Sequence, residues 1–195
     1  MNHTAALIVA LLIAALSIVY FSVLPTMAEK ADRQFCVSLM ESPISVSQEA
    51  ITLHSAFLVA DLHSDNLLWD RDFLERLDHG HLDFPRMQEG NMAIQVFDAV
   101  IKVPRGLNYQ SNKGDTDQLI KLAIENRWPI ATWFNLTNRA LHQAKLLYDA
   151  AKRSDRQLYI ITSAVELKSF LNIRQLSKRK VVGGLLSVEG LHALE

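Results

Sequence analysis

The chain has 195 residues, 49% of them apolar and 21% charged, with 20 Lys and Arg against 21 Asp and Glu. That balance excludes a disordered or low-complexity protein and a strongly basic nucleic-acid binder, so no nucleic-acid partner is expected. Seven Gly and five Pro are too few for a repeat or loop-dominated fold, and the single cysteine, Cys36, excludes a disulfide scaffold and a cysteine-cluster zinc site.

Residues 5–24 carry no charge and are broken only by Ser17, Tyr20 and Ser22. Twenty helical residues at about 1.5 Å each span roughly the 30 Å hydrocarbon core of a bilayer. Pro25 ends the apolar run, and Glu29, Lys30, Asp32 and Arg33 open a polar stretch. No Lys or Arg precedes the run, and it is longer than a signal-peptide core, which favours an uncleaved anchor. Thr26-Met27-Ala28 also offers small residues for cleavage after Ala28, so residues 1–28 read as a membrane anchor or a signal segment. By Lys and Arg count alone, the body stays cytoplasmic.

Residues 29–50 show little periodicity and read as a linker, leaving 51–195 as the body. Phe57-Leu58-Val59-Ala60 predicts a buried strand leading into Asp61-Leu62-His63-Ser64-Asp65, and residues 91–101 predict a second strand. A helix is expected from Asp115 or Thr116 to just before Trp128-Pro129, because the residue preceding proline is pushed out of the α region. Another runs from about Thr137 to Lys152, with Asn135 as its N-cap. Its stripe of Ala140, Leu141, Ala144, Leu147, Tyr148 and Ala151 is the pattern of a helix lying on a sheet.

Residues 158–161 predict a third strand, and Ser163-Ala164-Val165-Glu166 is a capping box opening a further helix. Residues 181–188 form an unbroken apolar run fit for a strand buried on both faces. Strands alternating with helices imply a parallel α/β sheet. Four such units make the N-terminal half of a (β/α)8 TIM-like barrel, preceded by a single N-terminal transmembrane helix; a complete barrel takes about 250 residues.

His63 and Asp65 are two positions apart, so on a strand they project to one face and bring an imidazole and a carboxylate to one strand tip. That pair suits a first-row divalent metal, and equally a hydrogen-bonded histidine beside a capping aspartate. Glu189 ends the last strand and is followed by Gly190, as a metal ligand or base would, or a polar cap. His192 reads as structural. His79-Gly80-His81 has the spacing of a hydrolase metal pair, but no apolar strand leads into it, and it reads as loop; metal bound there would indicate some other barrel amidohydrolase. Ser177-Lys178-Arg179-Lys180 reads as a solvated turn.

Together these segments resemble the membrane dipeptidases, the renal-dipeptidase-like zinc peptidases. Val59-Ala60-Asp61-Leu62-His63-Ser64-Asp65-Asn66 is similar to that family's first-strand motif, an apolar strand ending in Asp-x-His-x-Asp. His81-Leu82-Asp83-Phe84-Pro85-Arg86-Met87-Gln88-Glu89-Gly90, leading to Gln95-Val96-Phe97, is similar to the segment entering its second strand. Thr162-Ser163-Ala164 and Gly184-Leu185-Leu186-Ser187-Val188-Glu189-Gly190 follow in order, so the resemblance covers about residues 56–195.

The resemblance implies a barrel with two zinc ions, His63 and Asp65 holding one and Glu189 bridging both, and metal-assisted hydrolysis of dipeptide substrates. It also implies export of the body and a possible homodimer, in which Cys36 could join two chains. The family's remaining ligands follow the bridging glutamate, and this chain has six residues after Glu189. The expectation is therefore the N-terminal portion of a longer enzyme, supplying three of the family's five ligand residues. The alternative is a non-catalytic, membrane-tethered half-barrel that needs a partner chain.

Overall fold

The computed structural model describes residues 3–37, 44–177 and 180–194, so part of the linker and Lys178 and Arg179 of the basic run lie outside the described residues. The apolar N-terminus forms α1 (His3–Ile18), which passes through a widened turn at Val19–Val23 into α2 (Leu24–Gln34). The widening follows from Pro25, which supplies no N–H and crowds the carbonyl four residues back. The Leu24 N–H instead bonds to the Val19 carbonyl five residues back. The whole of His3–Gln34 is long and apolar enough to cross a membrane, and its apolar stretch is unburied by the rest of the chain.

The helix thus runs on past Pro25 into the first residues of the expected linker, where it docks onto the body. Ala28 and Asp32 are buried. One Asp32 oxygen lies 3.2 Å from Arg71 Nε and 3.1 Å from His79 Nε2, with the Arg71 and Asp32 side chains 9% and 6% exposed. Arg33 donates to both oxygens of Asp78, at 2.9 and 3.1 Å. The Cys36 thiol accepts from the Gly80 N–H at 3.0 Å and donates to the Asp32 carbonyl at 3.3 Å. His79 therefore serves the docking of the anchor, while His81 is exposed.

The body is a mixed α/β unit around a parallel four-stranded sheet, in the order β1 (Val59–Asp61), β2 (Met92–Val100), β4 (Val182–Glu189) and β3 (Leu158–Ile160). The order departs from chain sequence because β3 lies outside β4, pairing Leu158 with Val182 and Ile160 with Gly184. Of the expected strand at 57–60, only its end pairs: α3 (Gln48–Ala56) precedes it, and Asn91 Nδ2 donates to the His54 and Phe57 carbonyls, holding Phe57 and Leu58 outside the sheet and exposed.

Side chains alternate across the sheet. Phe97, Leu158 and Val182 pack with Leu147 and Ala150 of α6 (Leu136–Arg153). Ile94, Tyr159, Ile161 and Leu185 instead pack with Phe170 of α7 (Ala164–Leu176). Gly183 is required at the second contact, since a Cβ there would meet Ile161 at 2.5 Å and Phe170 at 3.0 Å. The capping residues behave as predicted: Ser163 Oγ accepts from Glu166 N–H, the Glu166 carboxylate takes the Thr162 N–H at 2.7 Å, and Asn135 accepts from Asn138 N–H. The Thr162 hydroxyl and N–H, both donating to it, hold the Glu166 carboxyl below its ordinary value.

Two helices differ from expectation. α5 (Leu119–Glu125) starts late because Asp117 and Thr116 are committed to a turn, accepting from the backbone N–H of Leu119 and of Arg105. The buried face of α6 is Arg139, Gln143, Leu147 and Ala150, rotated from the apolar stripe, so Leu141 and Tyr148 face outward. The rotation satisfies backbone groups that would otherwise be buried without partners. Arg139, fully buried, donates to the carbonyls of Ile101, Thr132 and Trp133 and to Asp117. Gln143 closes both polar groups of Val100, at 3.2 and 2.8 Å.

Arg139→Met leaves four acceptors without their donor, and removing one partner of a buried ion pair costs about 3–5 kcal/mol. A melting temperature lower by roughly 10 °C is expected in thermal unfolding. Asp32→Ala leaves Arg71 buried without its carboxylate; undocking is expected, read as faster tryptic cleavage at Lys30 and Arg33 in detergent. The Asp78 carboxyl is held down at about 2, from an ordinary 3.8, by its hydrogen bonds to His79 and Arg33. Its contribution to docking is therefore complete above pH 3.8 and is lost as pH falls through about 2, which cleavage near Phe35 by pepsin, active in that range, will follow.

Candidate metal centre

Parallel pairing brings the C-terminal ends of β1, β2 and β4 to one edge, with Asp61 opposite Gln95, Asp98 opposite Ser187 and Val100 opposite Glu189. Asp98, Ser187 and Glu189 share the parity of Ile94 and Leu185, so they stand on the face that α7 covers lower down. Exposure along β4 rises from buried at Val182 to exposed at Glu189, which leaves that end of the face open. Gly190, at φ +102, turns the chain at once after Glu189 and ends the strand there.

His63 and Asp65 follow β1 on this edge, and the structure brings both together with Glu189: one donor atom from each lies within 4.8 Å of the others. His63 Nε2 is 3.1 Å from Asp65 Oδ1 and 3.9 Å from Glu189 Oε2. The side chains are 58%, 48% and 55% exposed, so water and a solute reach the cluster directly. The chain entering the cluster is held from behind: Asp61 accepts from the His63 N–H at 3.3 Å and from buried Gln95 Nε2 at 2.9 Å.

Asp98 is the residue that sequence reading passed over. It is buried on β2, with one oxygen 3.3 Å from His63 Nδ1. Its signal is present in the sequence as a carboxylate inside the otherwise apolar run Val96-Phe97-Asp98-Ala99-Val100. His192 lies exposed in a short turn, Leu191–Leu194, beyond the cluster.

The donor set could hold a divalent cation. One imidazole and two carboxylates are nitrogen and oxygen donors, and bond lengths of about 2.0–2.2 Å place tetrahedral ligand atoms about 3.4 Å apart. The observed 3.1 and 3.9 Å bracket that spacing. The charge balance agrees: Asp65, Asp98 and Glu189 surround one imidazole, and among the described residues no lysine or arginine forms an ion pair with any of them. Three converging carboxylates without a fixed cation repel one another, and a bound dication relieves that repulsion.

The sequence matches no protein-family model and no curated protein.

Zinc at about 100 times its dissociation constant is expected to stabilise the chain by about 2.7 kcal/mol. That corresponds to a rise of roughly 5–10 °C in melting temperature. His63→Ala removes the shared donor and should abolish the rise.

Proposed function

We propose that this chain belongs to a membrane-anchored zinc peptidase acting on dipeptides, of the membrane dipeptidase type. The observation that carries the reading is the convergence of His63, Asp65 and Glu189 at one edge of a parallel sheet, as the resemblance of their motifs requires. The barrel belongs to the same proposal, with β1, β2 and β4 as its first strands and the cluster on its C-terminal rim, the usual place for barrel chemistry. So does localisation: a single-pass anchor through residues 5–24, with the body on the exported side.

His63 and Asp65 would hold one zinc, and Glu189 would serve that ion and a second. Zinc, when bound, supplies a Lewis acid for the peptide carbonyl and a water acidic enough to attack it near neutral pH. The chain's own part is positional. Asp61 and Gln95 fix the backbone entering His63, and β4 delivers the Glu189 carboxylate alongside it. The open edge admits a small peptide.

A second reading is a tethered metal-binding protein without turnover. It is favoured by the donor count, since one imidazole and two carboxylates suffice for a single ion. Hydrolysis of a dipeptide panel by the full chain in detergent, with zinc added, separates the two. The first reading expects turnover that chelation removes and that Glu189→Gln lowers at least 100-fold, with little change in melting temperature because the side chain is exposed. Zinc binding without hydrolysis of any dipeptide supports the second, and hydrolysis indifferent to chelation overturns both.

A further inference from the structure

Asp98 is a carboxylate buried in a central strand, its side chain 7% exposed, and no lysine or arginine among the described residues is paired with it. A buried carboxylate is retained only where donors compensate its lost hydration. It has two, with an imidazole beside them: Ser187 Oγ donates to Oδ1, the Ser64 N–H donates to Oδ2 at 3.1 Å, and His63 Nδ1 lies 3.3 Å from the same Oδ2. The Asp98 N–H in turn donates to the Ser64 carbonyl at 2.9 Å, so β2 grips the residue after His63 by backbone and side chain together.

The imidazole therefore stands between carboxylates on both ring nitrogens. Asp98 faces Nδ1, while Asp65 and Glu189 face Nε2. A neutral ring carries one proton, and the nitrogen that keeps it cannot bind a metal. Exposed Asp65 and Glu189 act through water, whereas Asp98 acts through the protein interior, where a charge is screened several-fold less. If Asp98 holds the proton on Nδ1, the Nε2 lone pair is left facing Asp65 and Glu189.

We propose that Asp98, held by Ser187 and Ser64, is the positioning residue of the metal centre, setting the tautomer and ring orientation that make His63 Nε2 a ligand. The proposal rests on the reading of His63, Asp65 and Glu189 as metal ligands. It goes beyond the ligands themselves to what selects the binding nitrogen.

Two variants of the full chain in detergent test it. Asp98→Asn is isosteric and keeps an acceptor toward His63 and Ser64, while its amide can donate to Ser187 Oγ; Asp98→Ala removes acceptor and charge together. Calorimetric titration with zinc should give a dissociation constant raised 10–100-fold in Asp98→Ala, the range for loss of such a partner, and only several-fold in Asp98→Asn. Nitrogen-15 NMR of the metal-free chain, taken through a pH series to the point where the ring signals no longer change, reads the tautomer directly. The proton is expected on Nδ1 of His63 in the wild type and on Nε2 in Asp98→Ala, with a shift toward Nε2 in Asp98→Asn, which loses the charge.

Wild-type affinity in both variants, with the tautomer unchanged, overturns the role of Asp98 and leaves the metal centre standing. Failure of the wild type to bind zinc overturns the metal centre, and the tautomer comparison still decides whether Asp98 orients His63. Should Asp98→Ala not fold, Asp98→Asn decides: no loss of zinc affinity, or the proton on Nε2 in the wild type, overturns the proposal.

Discussion

Everything at the candidate site depends on β2 lying between β1 and β4 in parallel register. Parallel pairing sends all three strands in one direction, so whatever ends each strand gathers at one edge. His63 and Glu189 are 126 positions apart in the chain, yet each is one strand removed from Asp98. The small residues of β4 belong to the same constraint: Gly183 lets Ile161 and Phe170 approach the sheet, and α7 then covers the lower part of the face on which the cluster stands. An antiparallel neighbour on either side of β2 would send one of the two ligand segments to the opposite edge.

A second set of buried charges ties the membrane segment to the body. Asp32 on α2 meets Arg71 and His79, 39 and 47 residues later, beneath surface contacts between Arg33 and Asp78 and between Phe35 and Trp69. Such an arrangement adds little net stability, because desolvation offsets most of the attraction, but it is specific in geometry. The apolar helix and the body are consequently joined by packed contacts at this junction, where residues 29–34 were expected to be linker.

Polar groups are used in the same way throughout. Arg139 and Gln143 occupy the face of α6 that an apolar stripe was expected to fill, because the end of β2 and the loops around Thr132 and Trp133 present carbonyls that require donors. Asp98 sits at the other side of the same strand end and collects donors from β1 and β4. In both places, the unpaired backbone at a strand's C-terminal end recruits a buried polar side chain, and at the open edge that side chain faces the imidazole of the candidate metal centre.

The sequence by itself determined the local elements whose causes are local. The long uncharged run, the N-caps at Asn135 and Ser163, and the strands ending at Asp61 and Glu189 follow from side chains acting on their own or adjacent turns. His63, Asp65 and Glu189 were legible as candidates for the same reason, since each ends a strand in a recognisable motif. The tertiary structure alone decided which residues face each other across long separations. It placed β3 outside β4, rotated α6, docked α2 on Arg71 and His79, and set Asp98 against His63. Those choices turn on desolvation, and a lone Asp or Arg in a sequence does not show which donors or acceptors will lie beside it once water is gone.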